Sequence, residues 1–388
     1  MALKLPIYLD NAATTPVDPR VVDAMLPFLR EHFGNPASST HEYGRVARNA
    51  VEQARDQVAA LIGADAREVI WTSGATESNN LAIKGAVRAR GERGHVVSVQ
   101  TEHKAVLDTL AALERDGYEV TLLAPQADGL VSLDAFRAAL RPDTVLASVM
   151  LVNNEIGVIQ DIAALGAVCR ERGVTMHVDA AQATGKVAID LARLPVDIMS
   201  LTAHKTYGPK GIGALYVRRQ SRLRLQPEIH GGGHERGLRS GTLATHQIVG
   251  MGACYELART EMADEIPRLR TLRDRLWSAL EDLPEIRLNG SLTQRIANNL
   301  NITLVSPQCD SLLDTITEVA LSSTSACSSG AGGQSHVLQA LGEAAAEGVA
   351  MRITVGRFNT GQEIDHAAAY LRRCIVACRS GTPVSAAG

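Results

Sequence analysis

Short apolar runs alternate with amphipathic stretches over the first two thirds of the chain. The apolar runs have the length of buried strands and lie at residues 68–72, 95–100, 120–124, 145–152, 175–179, 198–202 and 214–217. Between them, apolar residues spaced three and four apart predict helices at residues 46–62, 77–89, 104–115, 132–140 and 160–172. The alternation predicts an α/β fold with a mostly parallel seven-stranded sheet, whose ligands bind beyond the carboxyl ends of the strands.

The pattern changes near residue 255. A long charged helix extends through Leu280, short strands separated by glycine and asparagine follow, and one helix spans residues 361–379. These features predict a smaller α+β domain at residues 256–380 after a large domain at residues 21–255. We expect residues 1–20 to pack with the smaller domain and residues 381–388 to form a tail.

Composition limits the function classes. The net charge of −3 over 388 residues leaves no broad basic face, which argues against direct binding of nucleic acid. No apolar run has the length of a bilayer span, and the first residues lack the apolar core of a secretory signal. We therefore expect a cytoplasmic protein without membrane contact, in which six scattered cysteines form no disulfide framework.

A lysine and an aspartate at predicted strand ends indicate a cofactor site. Lys205 follows the strand at 198–202 and precedes a turn of glycines and a proline, while Asp179 ends the strand at 175–179. Pyridoxal phosphate needs a lysine amine for a Schiff base and an anionic partner that keeps its pyridine nitrogen protonated. Lys205 and Asp179 fit these roles, and the alternative is an ordinary buried ion pair.

Small residues lead from the strand at 68–72 into a helix. Ser73, Gly74, Ala75 and Thr76 leave backbone amides free at a helix N-terminus, which is a seat for a phosphate. Capping of the helix by Ser73 or Thr76 is a compatible interpretation, because the same amides serve both purposes. At the end of the strand at 198–202, Thr202 and His204 are placed to add donors to this phosphate.

Three further polar residues follow strands at the same edge. His103 comes after the strand at 95–100, where an imidazole can stack on a planar ring and move protons; a surface or helix-capping histidine is the alternative. Asn154 and Gln182 follow two other strands and are placed to reach the phenolic oxygen of the cofactor ring.

Cys327 lies among small and hydroxyl-bearing residues, in the run Ser-Thr-Ser-Ala-Cys-Ser-Ser-Gly-Ala-Gly-Gly. This setting lacks the bulky apolar neighbours of an inert core cysteine, and the glycines favour a mobile segment. We therefore interpret Cys327 as a reactive thiol that the chain can present and withdraw.

An arginine and two histidines are further candidates for ligand binding. Arg352 alternates with apolar residues on a predicted strand and is suited to hold a substrate carboxylate with two hydrogen bonds, although a surface ion pair explains it equally well. His230 and His234 have the spacing of metal ligands, but three glycines between them argue against the helix that such a pair needs. We predict no metal site.

Taken together, these residues resemble the cysteine desulfurases, which are pyridoxal phosphate enzymes of fold type I in the class V aminotransferase family. The resemblance extends from Tyr8 to about Phe358 and rests on seven short motifs. They are Phe33-Gly-Asn-Pro, Thr72-Ser-Gly-Ala-Thr-Glu-Ser-Asn-Asn, Thr101-Glu-His, Asn153-Asn-Glu-Ile-Gly, His177-Val-Asp-Ala-Ala-Gln, His204-Lys and Ser325-Ala-Cys.

The resemblance implies a role for each matching residue. Lys205 would hold the cofactor and move the α-proton of L-cysteine, His103 would stack on the ring, and Asp179 would pair with the pyridine nitrogen. Cys327 would attack the substrate sulfur, release alanine and keep a persulfide for an acceptor protein. The residues implied for the phosphate are Ala75, Thr76, Thr202, His204 and, from the second subunit of a homodimer, Thr242. Asn154 and Gln182 would bind the ring oxygen and the substrate. Arg352 with Asn35 would bind the substrate carboxylate.

Two departures bear on the choice of acceptor. The segment around Cys327 is of the type found in the branch of the family that serves iron–sulfur cluster assembly, but Thr324 and the glycines after Cys327 differ from the commonest pattern of that branch. In a second segment, His234 stands where glutamine is frequent. The chain is also similar to the desulfurase of bacterial DNA phosphorothioation systems. A selenocysteine lyase or another lyase or aminotransferase on the same fold is the alternative enzyme, and a scaffold without catalysis is the alternative outside enzymes.

Overall fold

The computed structural model describes residues 3–91, 93–219, 223–306, 309, 311–323, 335–342 and 348–380. The α-helices of this part of the chain are α1 Pro19–Arg30, α2 Glu42–Ile62, α3 Ala75–Arg88, α4 Lys104–Arg115, α5 Leu133–Ala139, α6 Ile162–Arg172, α7 Thr245–Ser278, α8 Leu312–Thr315, α9 His336–Ala340 and α10 Gly361–Ser380. Its strands are β1 Ile7–Tyr8, β2 Val69–Thr72, β3 His95–Val99, β4 Glu119–Leu123, β5 Thr144–Ser148, β6 Thr175–Asp179, β7 Ile198–Thr202, β8 Gly213–Val217, β9 Ile286–Leu288, β10 Asn299–Leu304, β11 Val319–Ala320, β12 Ser322–Ser323 and β13 Val349–Thr354.

A seven-stranded sheet forms the centre of the molecule, in the order β2-β8-β7-β6-β5-β3-β4. The pairs from β7 through β6, β5 and β3 to β4 are all parallel, and β8 runs antiparallel to both of its neighbours. The predicted α/β fold with a mostly parallel seven-stranded sheet is therefore confirmed.

Helices cover both faces of this sheet, as a parallel sheet requires. Side chains of β7 alternate between the two resulting cores: Met199 and Leu201 pack with α2, α6 and α7, whereas Ile198 packs with α3 and α4. The carboxyl ends of the parallel strands consequently open at a single edge that the helices leave accessible.

A smaller antiparallel sheet, in the order β12-β13-β10-β9, packs against α10 and the second half of α7. Helix α7 connects the two cores, since Tyr255 is buried against the central sheet and Leu272 and Leu276 are buried in the smaller core. Residue 255, where the sequence predicts a domain boundary, thus lies inside a continuous helix. The division into domains stays a prediction.

Two differences between the structure and the predicted elements concern the strand at 145–152 and helix α1. The expected strand at 145–152 ends at Ser148, although Val149 and Leu151 still donate backbone hydrogen bonds to the carbonyls of His177 and Asp179. These bonds keep the apolar residues buried without extending the regular ladder. The sequence does not predict helix α1.

In the part of the chain that the structure describes, no helix is both long and apolar enough to cross a bilayer.

Candidate active site

A cavity of about 590 Å³ opens at the carboxyl edge of the central sheet. The loops that follow β2, β3, β5, β6 and β7 form its walls, together with the turn before β8. It is lined by nine residues that the sequence predicts for the site: Ala75, Thr76, His103, Asn154, Asp179, Gln182, Thr202, His204 and Lys205. The sheet brings them together because they lie at or beyond the carboxyl ends of five strands, β2, β3, β5, β6 and β7.

Asp179, the last residue of β6, is 4% exposed and held by two donors. Its Oδ2 accepts a hydrogen bond from Asn79 Nδ2 at 2.8 Å, and its Oδ1 accepts one from the backbone amide of Ala181 at 2.9 Å. Asn79 lies on the inward face of α3 and was not predicted as a site residue. These bonds orient the carboxylate toward the cavity it shares with Lys205.

Lys205 lies in the turn after β7, and this turn is held in an uncommon backbone conformation. Tyr207 has a φ of 61°, and its amide donates to Thr15 Oγ1 at 2.8 Å. The backbone carbonyl of Lys205 accepts from Lys186 Nζ at 3.1 Å. Burial, followed by the nearby positive charge of Lys205, lowers the pKa of Lys186 to about 7. Lys186 was also missed by sequence reasoning.

The N-terminus of α3 faces the cavity without a side-chain cap. Gly74, rather than Ser73 or Thr76, precedes the helix, and among the described residues no side chain caps it. The amide of Ser73, which the sequence predicts to be free, donates to Glu77 Oε2 at 2.7 Å. Gly213 allows this arrangement because a Cβ atom there would lie 2.5 Å from the carbonyl oxygen of Leu201 and 2.6 Å from Gly74 Cα. The uncapped amides fit the predicted phosphate seat.

His103 both caps a helix and lines the cavity, so the helix-capping interpretation is confirmed and the stacking role stays a prediction. Its Nδ1 accepts a hydrogen bond from the amide of Ala105 at 3.1 Å at the start of α4. Burial lowers the pKa of His103, and the charge of Lys205 lowers it further. The imidazole is therefore neutral near pH 7. Burial likewise lowers the pKa of His204 to about 4.

Several buried polar atoms around the cavity have no hydrogen-bond partner among the residues that the structure describes. Such atoms cost stability unless a ligand or water satisfies them. They are Asn154 Oδ1, Gln182 Oε1, Thr202 Oγ1 and Asn79 Oδ1. Together with the uncapped helix and the Lys205–Asp179 pair, they fit pyridoxal phosphate, which presents a phosphate, a phenolic oxygen and a pyridine nitrogen.

Three described residues that the sequence predicts for the site do not line the cavity. Arg352 is 3% exposed, and its guanidinium donates to the carbonyl of Asn154 at 3.0 Å, to Asp10 Oδ1 at 2.8 Å and to Ser322 Oγ at 3.1 Å. It thus contacts the backbone of a cavity residue rather than the cavity itself. Asn35 borders a separate hollow beside Arg48 and Glu235. Thr242 is exposed and outside the cavity, and Cys327 lies outside the described residues.

Comparisons with known proteins agree with this site. The family model for class V aminotransferases matches residues 7–366. A cysteine desulfurase IscS from Methylococcus capsulatus is 59% identical over 98% of this chain and 95% of its own length. The solved structure of a NifS-like protein superposes with a TM-score of 0.89 at 33% identity, covering 96% of this chain and 100% of that one. SspA in complex with cysteine superposes with a TM-score of 0.80 at 37% identity, over 91% and 100% of the two chains. The chain belongs to the class V aminotransferase family and, within it, to the cysteine desulfurases.

Proposed function

We propose that this chain converts L-cysteine to L-alanine and transfers the sulfur, as a persulfide on Cys327, to an acceptor protein. The observation that carries the proposal is the shared cavity of Lys205, Asp179 and His103, with unpartnered polar atoms around it. The 59% identity to a cysteine desulfurase defines the substrate class, and a 37% identical relative, SspA, is known in complex with cysteine.

Pyridoxal phosphate, when bound, supplies an electron-accepting ring that makes the α-proton of an amino acid acidic. Lys205 would hold the cofactor covalently and move the α-proton, and Asp179 would keep the pyridine nitrogen protonated. The amides of Ala75 and Thr76 would hold the phosphate, assisted by Thr202 and His204. Asn154 and Gln182, which line the same cavity, would donate to the ring oxygen from the nitrogens of their side-chain amides.

The sulfur-transfer step needs a thiolate from this chain. Cys327 attacks the substrate sulfur, so that a sulfur–sulfur bond forms and the carbon–sulfur bond breaks. The electron pair of the broken bond returns to the substrate carbon, which takes up a proton to give alanine. His103, neutral near pH 7, accepts and returns protons beside Lys205. Arg352 with Asn35 as a clamp for the substrate carboxylate stays a sequence prediction.

A homodimer and an acceptor protein complete the proposal. Thr242 is exposed in this chain and, by the resemblance, serves the phosphate site of a second copy. The rings of Phe33 and Tyr43 lie 5.5 Å apart and are 70% and 55% exposed, which marks an apolar surface suited to such contact. Similarity to an IscS protein favours an acceptor that assembles iron–sulfur clusters over DNA phosphorothioation or a selenocysteine lyase activity.

The test is a single-turnover assay with L-cysteine and pyridoxal phosphate. Wild-type protein should release alanine and gain one sulfur atom on Cys327, measured by mass spectrometry after alkylation. Cys327→Ser should keep the visible absorbance of the bound cofactor and lose both products, and Cys309→Ser, in the buried core, is the matched control. Undiminished alanine release by Cys327→Ser would exclude the covalent role of this thiol.

A further inference from the structure

Two glutamates beside the cavity have no role in the reaction above. Glu102 follows β3 and Glu155 follows β5, and both are fully buried, at 0% and 1% exposure. Burying a carboxyl group costs desolvation free energy, which its hydrogen bonds must offset. The Oε1 atom of Glu102 accepts from the amide of Met150 at 2.6 Å.

Glu155 is fixed by the turn that contains it. Its amide donates to Asn153 Oδ1 at 2.9 Å, and its carbonyl accepts from Asn299 Nδ2 at 3.1 Å and from Asn301 Nδ2 at 3.0 Å. The backbone of Glu155 is therefore bonded both to its own turn and to β10 of the smaller sheet. Its side chain projects from a rigid support.

That side chain contacts the residue before α9. Ser335 Oγ donates to Glu155 Oε2 at 2.5 Å and accepts from the amide of Leu338 at 3.2 Å, which makes it the N-cap of the helix. The next residue, His336, contacts the carbonyl of Glu102 through Nε2 at 2.9 Å. Two adjacent residues at the start of α9 are thus bonded to the two buried glutamates.

Apolar packing supports the same attachment. Val337 and Leu338 of α9 are buried in one cluster with Ile156 and Val158, which directly follow Glu155 in the chain. The start of α9 is accordingly held by a hydrogen bond to a buried carboxyl group, a bond to a backbone carbonyl and a buried apolar contact.

Asn154, the neighbour of Glu155, is also linked to the segment that precedes Cys327. Arg352 donates to the carbonyl of Asn154 and to Ser322 Oγ, so that β12 is tied to the same turn. Cys327 is four residues beyond Ser323 and eight before Ser335. Extended chains of these lengths span at most about 14 and 29 Å, so the two attachments limit where the thiol can be placed.

We propose that Glu155 is a positioning residue for persulfide formation, which acts by fixing Ser335 and thereby the far end of the segment that carries Cys327. The inference rests on the proposed role of Cys327. Burial raises the pKa of Glu155 to about 7, and the hydroxyl of Ser335 opposes this rise by stabilising the carboxylate. Ser335 is therefore the group whose removal should release the attachment.

Two rates distinguish a positioning role of Ser335 from a general role in the stability of the fold. Exchange of the α-proton of L-alanine in deuterated water needs Lys205 and the cofactor but not Cys327, whereas persulfide formation needs all three. Ser335→Ala should slow single-turnover persulfide formation by about tenfold, as expected for the loss of one buried hydrogen bond. Proton exchange and the visible absorbance should stay at wild-type levels.

Matched variants sharpen the test. Ser335→Thr keeps the hydroxyl and should restore persulfide formation, and Glu155→Gln, which keeps a neutral acceptor, should give an intermediate loss. Ser132→Ala removes the N-cap of α5 away from the cavity and should change neither rate. If Ser335→Ala is too unstable to purify, Glu155→Gln measures the same contact.

Wild-type rates of persulfide formation in Ser335→Ala and Glu155→Gln would overturn the proposal. Equal losses of persulfide formation and proton exchange would also overturn it, because they would show a general structural role. Failure of the proposed function itself is distinguishable, since wild-type protein would then form no persulfide on Cys327.

Discussion

Asp179 owes its orientation to a neighbour without reactive chemistry, the amide side chain of Asn79. The same holds for Lys205, whose turn is fixed by Thr15 through the amide of Tyr207. Such supporting contacts keep the reacting groups in place before a ligand binds, which reduces the reorganisation needed for catalysis. The properties of the site therefore depend on these residues as well as on those that touch the cofactor.

Lys205→Ala should remove the visible absorption band of the bound cofactor and lower alanine release by at least about a thousandfold. The substitution deletes both the covalent attachment and the group that moves the α-proton. Absorbance spectra and a coupled alanine assay measure the two effects. Lys84→Ala, on the outer part of α3 beside Glu228, is the control and should keep both. Full activity in Lys205→Ala would contradict the assignment of Lys205 as the lysine that binds the cofactor.

The activity should fall on the acid side as His103 becomes protonated. Burial and the charge of Lys205 lower its pKa, so the neutral form persists below the usual value of about 6.5 and is lost only as the pH falls through the lowered pKa. The pH profile of kcat/KM should show this limb, and His103→Gln should remove it while lowering kcat about a hundredfold. If the acid limb is unchanged in His103→Gln, a group other than His103 causes it.

The sequence predicts the reactive residues of the cavity better than their supports. Lys205, Asp179 and His103 follow recognisable strands, so the rule for parallel sheets places them at one edge. Asn79 and Lys186 have no such signal, because their partners are distant in sequence and only the folded chain brings them together. Arg352 was expected in the cleft, but its alternating pattern cannot show that Asp10 and Asn154 occupy its guanidinium.

At the scale of elements, strands β6 and β7 match their predicted ranges because short apolar runs there end in polar residues. Helix α1 was missed because Pro27 lies inside it and breaks an otherwise helical spacing of apolar residues at Val21, Met25 and Leu29. The start of α7 was predicted about ten residues late. Gly250 and Gly252 weaken the helical pattern at this start. Gly252 is nevertheless needed, because a Cβ there would lie 2.6 Å from Ala54 Cα of α2.

Arg357 connects three elements, and Arg357→Met should lower the free energy of unfolding by about 3 kcal/mol. Its guanidinium bonds to Asp18 before α1 at 2.9 Å and to Glu265 of α7 at 3.0 Å, and both carboxylates are buried. The substitution leaves Glu265 buried without this partner. Urea unfolding measures the change.

The control for this prediction is Arg45→Ala, which breaks an ion pair whose side chains are 52% and 73% exposed. Exposed pairs contribute little, so a change below about 0.5 kcal/mol is expected. Equal effects of the two substitutions would show that burial does not set the strength of the Arg357 contacts.

At the scale of the whole molecule, we propose that the phosphate site takes Thr242 from a second chain. This residue is exposed and lies outside the cavity of its own chain. The sequence alone cannot establish such a contribution, since a residue that serves a neighbour leaves no periodic or spacing signal within its own chain. Mixed dimers can test it directly.

Lys205→Ala and Thr242→Val should each be inactive at limiting cofactor, and mixing them after unfolding and refolding together should restore activity. In a mixed dimer, the site with an intact Lys205 receives Thr242 from the other chain, so one of two sites works. Half of the dimers are mixed at equal concentrations, which predicts about a quarter of wild-type activity. If Thr242 served its own chain, no mixed dimer would contain a complete site and the mixture would stay inactive. Light scattering on the same samples should give twice the mass of one chain, and a monomer would contradict the assembly on which this complementation depends.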